Sequence, residues 1–163
     1  MLQAQPLEPY QITVFNTKDG LPHNAVHALC QDRNGYLWVG TEAGLCRYNG
    51  YRFEHFLQAE GQRIGQVRSL FETPDGALWI GTEMGIFIAI HGDVHPIAMT
   101  FGAEYRQVRS FLWDNKQHRL WFACASGPFY FTQEQINILK KQPGSRRFAP
   151  QEQAGWKELM SDD

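Results

Sequence analysis

One phrase occurs twice in this sequence at an interval of 41 residues, and a weaker third copy follows. The copies read GYLWVGTEAGL at 35–45, GALWIGTEMGI at 76–86 and HRLWFACASGP at 118–128. Three sets of markers keep this register: Trp38, Trp79 and Trp121; Gly44, Gly85 and Gly127; and Val26, Val67 and Val108. A repeat of this length constrains the fold, because each copy is one supersecondary unit that buries its apolar face against its neighbours.

Each unit reads as four short strands separated by turns. The turns DRNG at 32–35 and TPDG at 73–76 contain the residues that favour tight hairpins. First strands are predicted to start at Val26, Val67 and Val108. Second strands are predicted at 36–40, 77–81 and 120–123, third strands at 45–48, 86–90 and 129–132, and fourth strands at 52–56 and 94–99. Four antiparallel strands per unit are typical of a β-propeller blade, whereas helical repeats need long 3.6-residue periodicity, which is absent before residue 133.

The predicted fold class is therefore all-β, a partial β-propeller of three four-stranded antiparallel blades. We assign residues 1–16 to an N-terminal segment with a closure strand at 11–15, and 17–66, 67–107 and 108–140 to blades 1, 2 and 3. Residues 141–163 form a non-repeat tail. Thr132 is placed to cap a short helix, and the alternative is that 136–139 supply the fourth strand of blade 3. Residues 142–153 read as loop, and WKELM at 156–160 as a docked helical turn.

Residues 16–50 contain DGLP at 19–22 with Asn24, Gln31 and Asp32, GYLWVGT at 35–41, and GL at 44–45 with RYNG at 47–50. This pattern closely resembles the two-component regulator propeller repeat. The second unit keeps GALWIGT at 76–82 but loses the DGLP lead-in. The third has Ala123 and Cys124 where the family has Gly-Thr, and the resemblance covers residues 10 to about 132.

The resemblance implies an extracytoplasmic or periplasmic sensor propeller of a bacterial sensor kinase or related signalling protein. It implies a segment that binds a ligand or partner domain and passes on a signal, with no catalysis of its own and no cofactor. In several members of the family the propeller is tied to carbohydrate sensing, so a carbohydrate is the expected small ligand. Kinase, receiver and DNA-binding motifs are absent from this chain. The alternative is a non-enzymatic assembly module that works through open blade edges, and a propeller lyase is a distant third.

The charge composition argues against a nucleic-acid partner. The chain has 15 basic and 17 acidic residues, a formal net charge of -2, and no basic stripe. No apolar run approaches the roughly 18 residues of a membrane helix. The sequence contains no signal peptide, although its start, MLQAQPLEPY, is similar to the first residues of a chain after signal-peptide removal. Cys30, Cys46 and Cys124 each lie in an apolar stretch, which favours buried free thiols over a disulfide framework.

The histidine pairs and turns do not predict a metal centre. His23 and His27, like His91 and His95, are four residues apart, which along a strand is about 13 Å and too far to share one ion. The turn sequences lack the spaced oxygen ligands of a calcium loop, and no catalytic motif is present. The tryptophans of the repeat are expected to be structural core between blades.

One end of the propeller is the candidate ligand site, because the loops before the inner strands and between the second and third strands gather there. The side chains expected at this end are His23, Asn24, His27, Glu42, Gln66, Arg68, Glu83, Gln107 and Arg109. Arg68 and Arg109 hold equivalent positions in units two and three, so their side chains are expected to converge.

Three blades form an arc, whereas closed propellers use about 4–8 blades. An open arc leaves apolar blade faces uncovered, and large exposed apolar patches are rare on soluble monomers. One expected partner is therefore a second copy in a head-to-tail homodimer, with six blades and the strand at 11–15 completing the partner's outer edge. The alternative is that the chain is an excerpt of a longer propeller and associates irregularly.

Overall fold

Hairpin turns and alternating apolar side chains produce one four-stranded antiparallel sheet from each repeat. A computed structural model of the chain describes residues 12–98, 106–142 and 151–152. After a 3-10 helix at Thr17–Asp19, blade 1 consists of β1 (Val26–Gln31), β2 (Leu37–Thr41), β3 (Gly44–Tyr48) and β4 (Phe53–Phe56). The strands pair in chain order, and the fold class predicted from the repeat is confirmed.

Blades 2 and 3 repeat this arrangement. A two-stranded ribbon, β5 (Gln58–Ala59) and β6 (Gln62–Arg63), leads into blade 2, which consists of β7 (Val67–Glu72), β8 (Leu78–Thr82), β9 (Ile86–Ile90) and β10 (Asp93–Pro96). Blade 3 consists of β11 (Ser110–Asp114), β12 (Arg119–Cys124), β13 (Gly127–Thr132) and β14 (Gln151–Glu152), with helix α1 (Gln133–Lys141) between its last two strands. None of the helices in the described ranges is long and apolar enough to cross a membrane.

The C-terminal part of blade 3 confirms one sequence expectation and differs from another. Residues 136–139 lie in helix α1, as the predicted cap at Thr132 implies, and not in the alternative fourth strand, because Thr132 and Gln135 form a complete capping box at the start of the helix. The fourth strand is instead β14, which pairs with Phe129 and Tyr130 of β13, so the prediction of loop throughout 142–153 is wrong at Gln151–Glu152. The predicted turn at 156–160 lies outside the described residues.

The N-terminal closure strand does not form within this chain where the structure describes it, and its pairing with a second copy stays a prediction. Residues 12–15 form no strand, and residue 11 lies outside the described ranges. Phe15 packs its ring on Tyr48 and Phe53, with centroids 5.2 and 5.5 Å away. This segment therefore meets blade 1 through side chains and does not extend a sheet edge by backbone hydrogen bonds.

Each blade has two faces, which we call forward, toward the next blade in the chain, and backward, toward the previous one. Trp38 and Leu45 on the forward face of blade 1 pack with Leu78, Ile80 and further backward-face residues of blade 2. The interface between blades 2 and 3 is built in the same way. Trp79, Ile86 and Ile88 of blade 2 pack with backward-face residues of blade 3, namely Leu120, Phe122, Phe129 and Phe131. Ile136 and Leu139 of α1 belong to the same cluster.

The repeated glycine of the Trp-x-Gly-Thr phrase lies where the next blade comes closest. A Cβ built on Gly40 would lie 2.5 Å from Val67 Cγ1, and one on Gly81 would lie 2.8 Å from Val108 Cγ1. Such distances are too short for a side chain, so the repeated glycine and the repeated valine are the two halves of one contact. In blade 3 this position is occupied by Ala123, which pairs with Ser110 as Gly81 pairs with Ser69.

Trp121 differs from the other two repeat tryptophans. Trp38 and Trp79 are buried, whereas Trp121 is half-buried. It pairs with Leu112 as Trp38 pairs with Cys30, which places it on the forward face of blade 3. Among the described residues no blade packs on this face, so the expectation of a third core tryptophan stays a prediction.

Cys30, Cys46 and Cys124, all within the described residues, form no disulfide. Cys46 and Cys124 are buried and Cys30 is half-buried. Burial raises the pKa of the Cys46 thiol to about 12, so this side chain behaves as a small apolar residue.

Candidate functional site

The predicted ligand-binding end contains a hydrogen-bonded group of side chains from blades 1 and 2, which we call the mouth cluster: His27, Glu42, Gln66 and Glu83. His27 Nε2 lies 2.8 Å from Glu42 Oε2, and Gln66 Nε2 donates to the same carboxylate oxygen. Gln66 Nε2 also lies 3.2 Å from His27 Nε2. Gln66 precedes the first strand of blade 2, so its side chain connects the two blades at this end.

The carboxylate of Glu42 is held in its ionised form. The hydrogen bond from His27 lowers its pKa below the usual glutamate range, and the bond from Gln66 acts in the same direction against the opposing effect of desolvation. His23 adds a weaker electrostatic attraction. A carboxyl group in this state accepts hydrogen bonds, and it is poorly suited to donate a proton as a general acid.

Glu83 holds in blade 2 the position that Glu42 holds in blade 1. Its backbone N donates to Gln66 O over 3.1 Å, and its own carbonyl accepts from Gln107 N over 3.2 Å. Its carboxylate Oε1 lies 3.5 Å from Gln66 N, at the limit of a hydrogen bond. Backbone hydrogen bonds thus join the starts of blades 2 and 3 to the loop that carries Glu83.

Arg68 and Arg109 occupy the same position of the repeat as His27 in the next two blades, but among the described contacts neither reproduces the bond of His27 to a glutamate. Within the described residues, Arg68 Nε is buried and has no hydrogen-bond partner. Arg109 Nη2 donates to Gln107 Oε1 over 3.2 Å. No described hydrogen bond or ion pair joins the two arginines to one group, so their expected convergence stays a prediction.

The side chains of His23 and Asn24 accept hydrogen bonds from backbone groups close to them in the sequence. The ring Nδ1 of His23 accepts from Ala25 N over 3.0 Å, and Asn24 Oδ1 accepts from Thr17 N over 2.9 Å. These bonds fix the lead-in to blade 1, so both side chains shape the loop beside the mouth cluster.

A groove between blades 1 and 2, which sequence reasoning missed, lies at the other end of strands β1 and β7. It has a volume of about 940 Å³ and is lined by the turns at 32–36 and 75–78, by Arg47 and by the end of α1. The Arg47 guanidinium stacks 4.6 Å from the Tyr36 ring centroid and 5.2 Å from that of Trp38. The ion pairs Arg33–Glu72 and Lys140–Asp75 neutralise most of the remaining charge.

The side chains around this groove hold the turns of blades 1 and 2 together. Arg33 also donates to the carbonyls of Thr73 and Pro74, which ties the first turn of blade 1 to that of blade 2. The RY pair of the repeat phrase was the sequence signal for Arg47, but its stacking depends on packing between strands. Within the described ranges no three His, Cys, Asp or Glu side chains are grouped to hold a metal ion.

Stacked four-stranded sheets with short inner strands at one axis define a β-propeller repeat protein. Residues 20–43 and 61–84 match the model of the two-component regulator propeller family. These stretches cover the lead-in and first strands of blades 1 and 2. Two stretches of the chain therefore match the two-component regulator propeller repeat, which confirms the resemblance seen in its sequence.

Two solved structures with the same fold are extracellular domains of B. thetaiotaomicron proteins described as hybrid two-component systems. BT3049 superposes with a TM-score of 0.66 at 20% identity, over 77% of this chain and 19% of that chain. BT4673 gives 0.59 at 20% identity, over 79% and 18%. The chain thus spans about a fifth of the length of each.

A third structure, the virginiamycin B lyase of Staphylococcus aureus, superposes with a TM-score of 0.47 at 11% identity, over 66% of this chain and 41% of that chain. This likeness is too low to carry an argument about activity. No curated protein matches the chain.

Proposed function

We propose that this chain is a sensor segment of an extracytoplasmic signalling protein, which binds a small ligand at the mouth cluster and performs no catalysis. The repeat family and the extracellular domains that share the fold support the class and the location. The ionised, hydrogen-bonded state of Glu42 supports a binding role, because that carboxylate is set to accept hydrogen bonds.

The observation that carries the proposal is the buried Nε of Arg68, which makes no hydrogen bond with any residue that the structure describes. A buried donor that makes no hydrogen bond costs free energy, about 1–3 kcal/mol, so natural structures seldom leave one unused. A ligand with hydroxyl or carboxylate oxygens would accept from Arg68 while Glu42 accepts from its hydroxyls. This combination of donors and acceptors fits a carbohydrate, either neutral or acidic.

A signal would arise from the link between blades. Gln66 connects blade 2 to the His27–Glu42 pair of blade 1, and Glu83 connects blade 2 to the start of blade 3. A ligand that engages Glu42 and Arg68 together therefore favours one relative position of neighbouring blades. The free energy of this preference is the quantity that a sensor passes on.

Calorimetric titration with neutral and uronic-acid oligosaccharides tests the proposal. We expect saturable binding by the wild type and loss of at least tenfold in affinity for Arg68→Met, the order expected when one hydrogen bond to a charged group is removed. Arg52→Met is the matched control, because Arg52 is exposed on the outer side of blade 1. Equal binding by the two variants, or no saturable binding by any, would contradict the site.

The second candidate function, assembly through open blade edges, is favoured by a specific observation as well. Leu112 on the last blade is 66% exposed and Leu29 on the first is 61% exposed. Both side chains lie on blade faces, where the equivalent residues inside the chain are packed between blades.

A further inference from the structure

The tripeptide Asn-Gly-Tyr occurs twice in the sequence, each time in an exposed hairpin turn of blade 1. Asn34 and Gly35 lie between β1 and β2, and Asn49 and Gly50 lie between β3 and β4. Asparagine before glycine has an intrinsic reaction in water, because the glycine nitrogen can attack the side-chain carbonyl carbon without hindrance from a Cβ atom. The residues are the same at the two sites, so any difference in reactivity is set by the structure around them.

The attacking nitrogen is engaged at one site and available at the other. Gly35 N donates to Asp32 O over 2.9 Å, and this hydrogen bond holds the proton that must leave before the nitrogen can attack. Gly50 N donates to no residue that the structure describes. Gly50 is also exposed, so water and hydroxide reach its amide.

The side-chain carbonyl that would be attacked is activated at Asn49. Its Oδ1 accepts from Tyr51 N and from Arg52 N, each over 3.0 Å. Negative charge develops on this oxygen when a nitrogen adds to Cγ, and two backbone N–H donors stabilise such charge as they do in an oxyanion hole. The side-chain carbonyl of Asn34 accepts no hydrogen bond from any described residue, and its backbone N bonds to Asp32 Oδ1.

We propose that Asn49 is a site of spontaneous deamidation and that the fold protects Asn34. The Gly50 nitrogen loses its proton and bonds to Asn49 Cγ, the bond from Cγ to Nδ2 breaks, and the side-chain amide leaves with a proton as ammonia. Water then opens the cyclic imide at either carbonyl, which gives an aspartate or an isoaspartate at position 49. Water is the co-reactant, nothing is oxidised or reduced, and the reaction does not depend on ligand binding.

The modification changes the outer edge of blade 1. Either product adds one negative charge at neutral pH to a chain whose formal net charge is -2. The aspartate keeps an oxygen for the N–H groups of Tyr51 and Arg52, whereas the isoaspartate adds one carbon to the backbone of the turn. This turn closes β3 on β4, where Tyr48 pairs with Phe53. The longer link therefore displaces the start of β4 relative to β3.

Peptide mass spectrometry on the full chain, incubated at mildly alkaline pH, measures the reaction at both sites. We expect Asn49 to deamidate about tenfold faster than Asn34 in the folded chain. In urea the two rates should become similar, because the unfolded chain keeps both tripeptides but neither set of hydrogen bonds. Equal rates in the folded chain, or faster reaction at Asn34, would overturn the proposal. A preference of the same size in urea would also overturn it, since the fold would then not be its cause.

A pair of variants at position 52 tests the role of the two donors. Arg52→Pro removes one of the N–H groups that reach Asn49 Oδ1, whereas the matched control Arg52→Ala keeps it. We expect deamidation at Asn49 to be about threefold slower in the proline variant than in the alanine variant, with Asn34 unaffected. Equal rates at Asn49 in two folded variants would contradict the activation of this carbonyl. Circular dichroism verifies the fold, and if the proline variant is unfolded, the wild-type comparison with and without urea decides.

Discussion

At the scale of single residues, the Trp, Gly and Thr of the Trp-x-Gly-Thr phrase each make a different contact. The indole of Trp38 donates to Asp32 over 2.8 Å, and that of Trp79 to Thr73 over 3.3 Å, which fixes each ring to the preceding turn. The hydroxyls of Thr41 and Thr82 donate to the carbonyls of Gly44 and Gly85 over 2.8 and 3.0 Å. The phrase repeats because these bonds and the glycine–valine contact recur at both intact blades.

The third copy of the repeat makes one of these turn contacts with a different side chain. Cys124 replaces the threonine, and its Sγ lies 3.5 Å from Gly127 O, a weaker form of the same turn contact. Gly127 has a φ of 125°, in the region that favours glycine, as Gly44 and Gly85 do. The substitutions at Ala123 and Cys124 therefore keep the turn but change the position at which a glycine contacts the next blade in the two intact units.

Trp79 and Trp121 are predicted to differ in their contribution to stability. Trp79→Ala should lower the free energy of unfolding by about 3–5 kcal/mol, because the ring is fully buried between blades 2 and 3. Since small domains have only about 5–15 kcal/mol in total, cooperative unfolding should be nearly abolished. Thermal and urea unfolding measure the difference. A loss of similar size for Trp121→Ala would contradict the half-buried placement of that ring.

The pH dependence of the mouth cluster is set by Glu42. Its pKa is lowered in the folded chain, so the stabilisation by the His27 bond is present above the usual glutamate pKa of about 4.3 and is lost as the pH falls through the lowered value. An NMR titration of the Glu42 carboxyl should show this, and His27→Ala should move its pKa back up. His55→Ala is the control, because His55 bonds to Gly20 O and not to Glu42. An unchanged Glu42 pKa in His27→Ala would contradict the assigned cause.

At the scale of elements, helix α1 depends on its cap. The Thr132 hydroxyl accepts from Gln135 N over 3.3 Å, and Gln135 Oε1 accepts from Thr132 N over 2.9 Å. Thr132→Ala should lower the free energy of unfolding by about 1 kcal/mol, since a cap residue typically contributes that much. Urea unfolding measures it, with Thr132→Ser as the conservative variant that keeps the hydroxyl. A loss as large in the serine variant would show that the methyl group, and not the cap, matters.

The sequence predicted the strands of blades 1 and 2, where the repeat is intact, more accurately than those of blade 3, where it has diverged. The turns and the first three strands of blades 1 and 2 follow from period-2 alternation and turn residues, and they lie within a residue or two of the expected bounds. In blade 3 the inner strand starts at Ser110, because Val108 N bonds instead to Thr82 O of blade 2. Strand β14 could not be predicted, since a two-residue strand paired across a helix has no local pattern.

The sequence located the candidate site but did not show which of its side chains are hydrogen-bonded to each other. The 41-residue interval placed His27, Arg68 and Arg109 at equivalent positions of the repeat. It did not show that Glu42 and Gln66 would bond to His27, or that Arg68 Nε would have no partner among the described residues. Such choices depend on side-chain rotamers and on the approach of neighbouring blades, which a repeat pattern does not contain.

At the scale of the whole molecule, each large apolar cluster of the described residues joins two consecutive blades in a stack. One apolar cluster joins blades 1 and 2, and another joins blades 2 and 3 together with α1. In such quasi-one-dimensional proteins the stability is close to a sum of unit and interface contributions, so local parts can unfold separately. Blade 1 has one internal interface and no helix packed on it, which makes it the weaker end of the described stack.

Hydrogen exchange should therefore distinguish the two ends of the stack. Leu45 is fully buried in the blade 1–2 cluster, and Leu45→Ala should cost about 2–5 kcal/mol. We expect faster exchange in β1 to β4 and unchanged protection in β11 to β13, measured by mass spectrometry on peptides. Leu139→Ala, which removes a fully buried side chain of α1 from the other cluster, should do the reverse. A uniform loss of protection in both variants would mean that the three blades unfold as one unit, because a stack with separable interfaces confines each defect to the blades that share it.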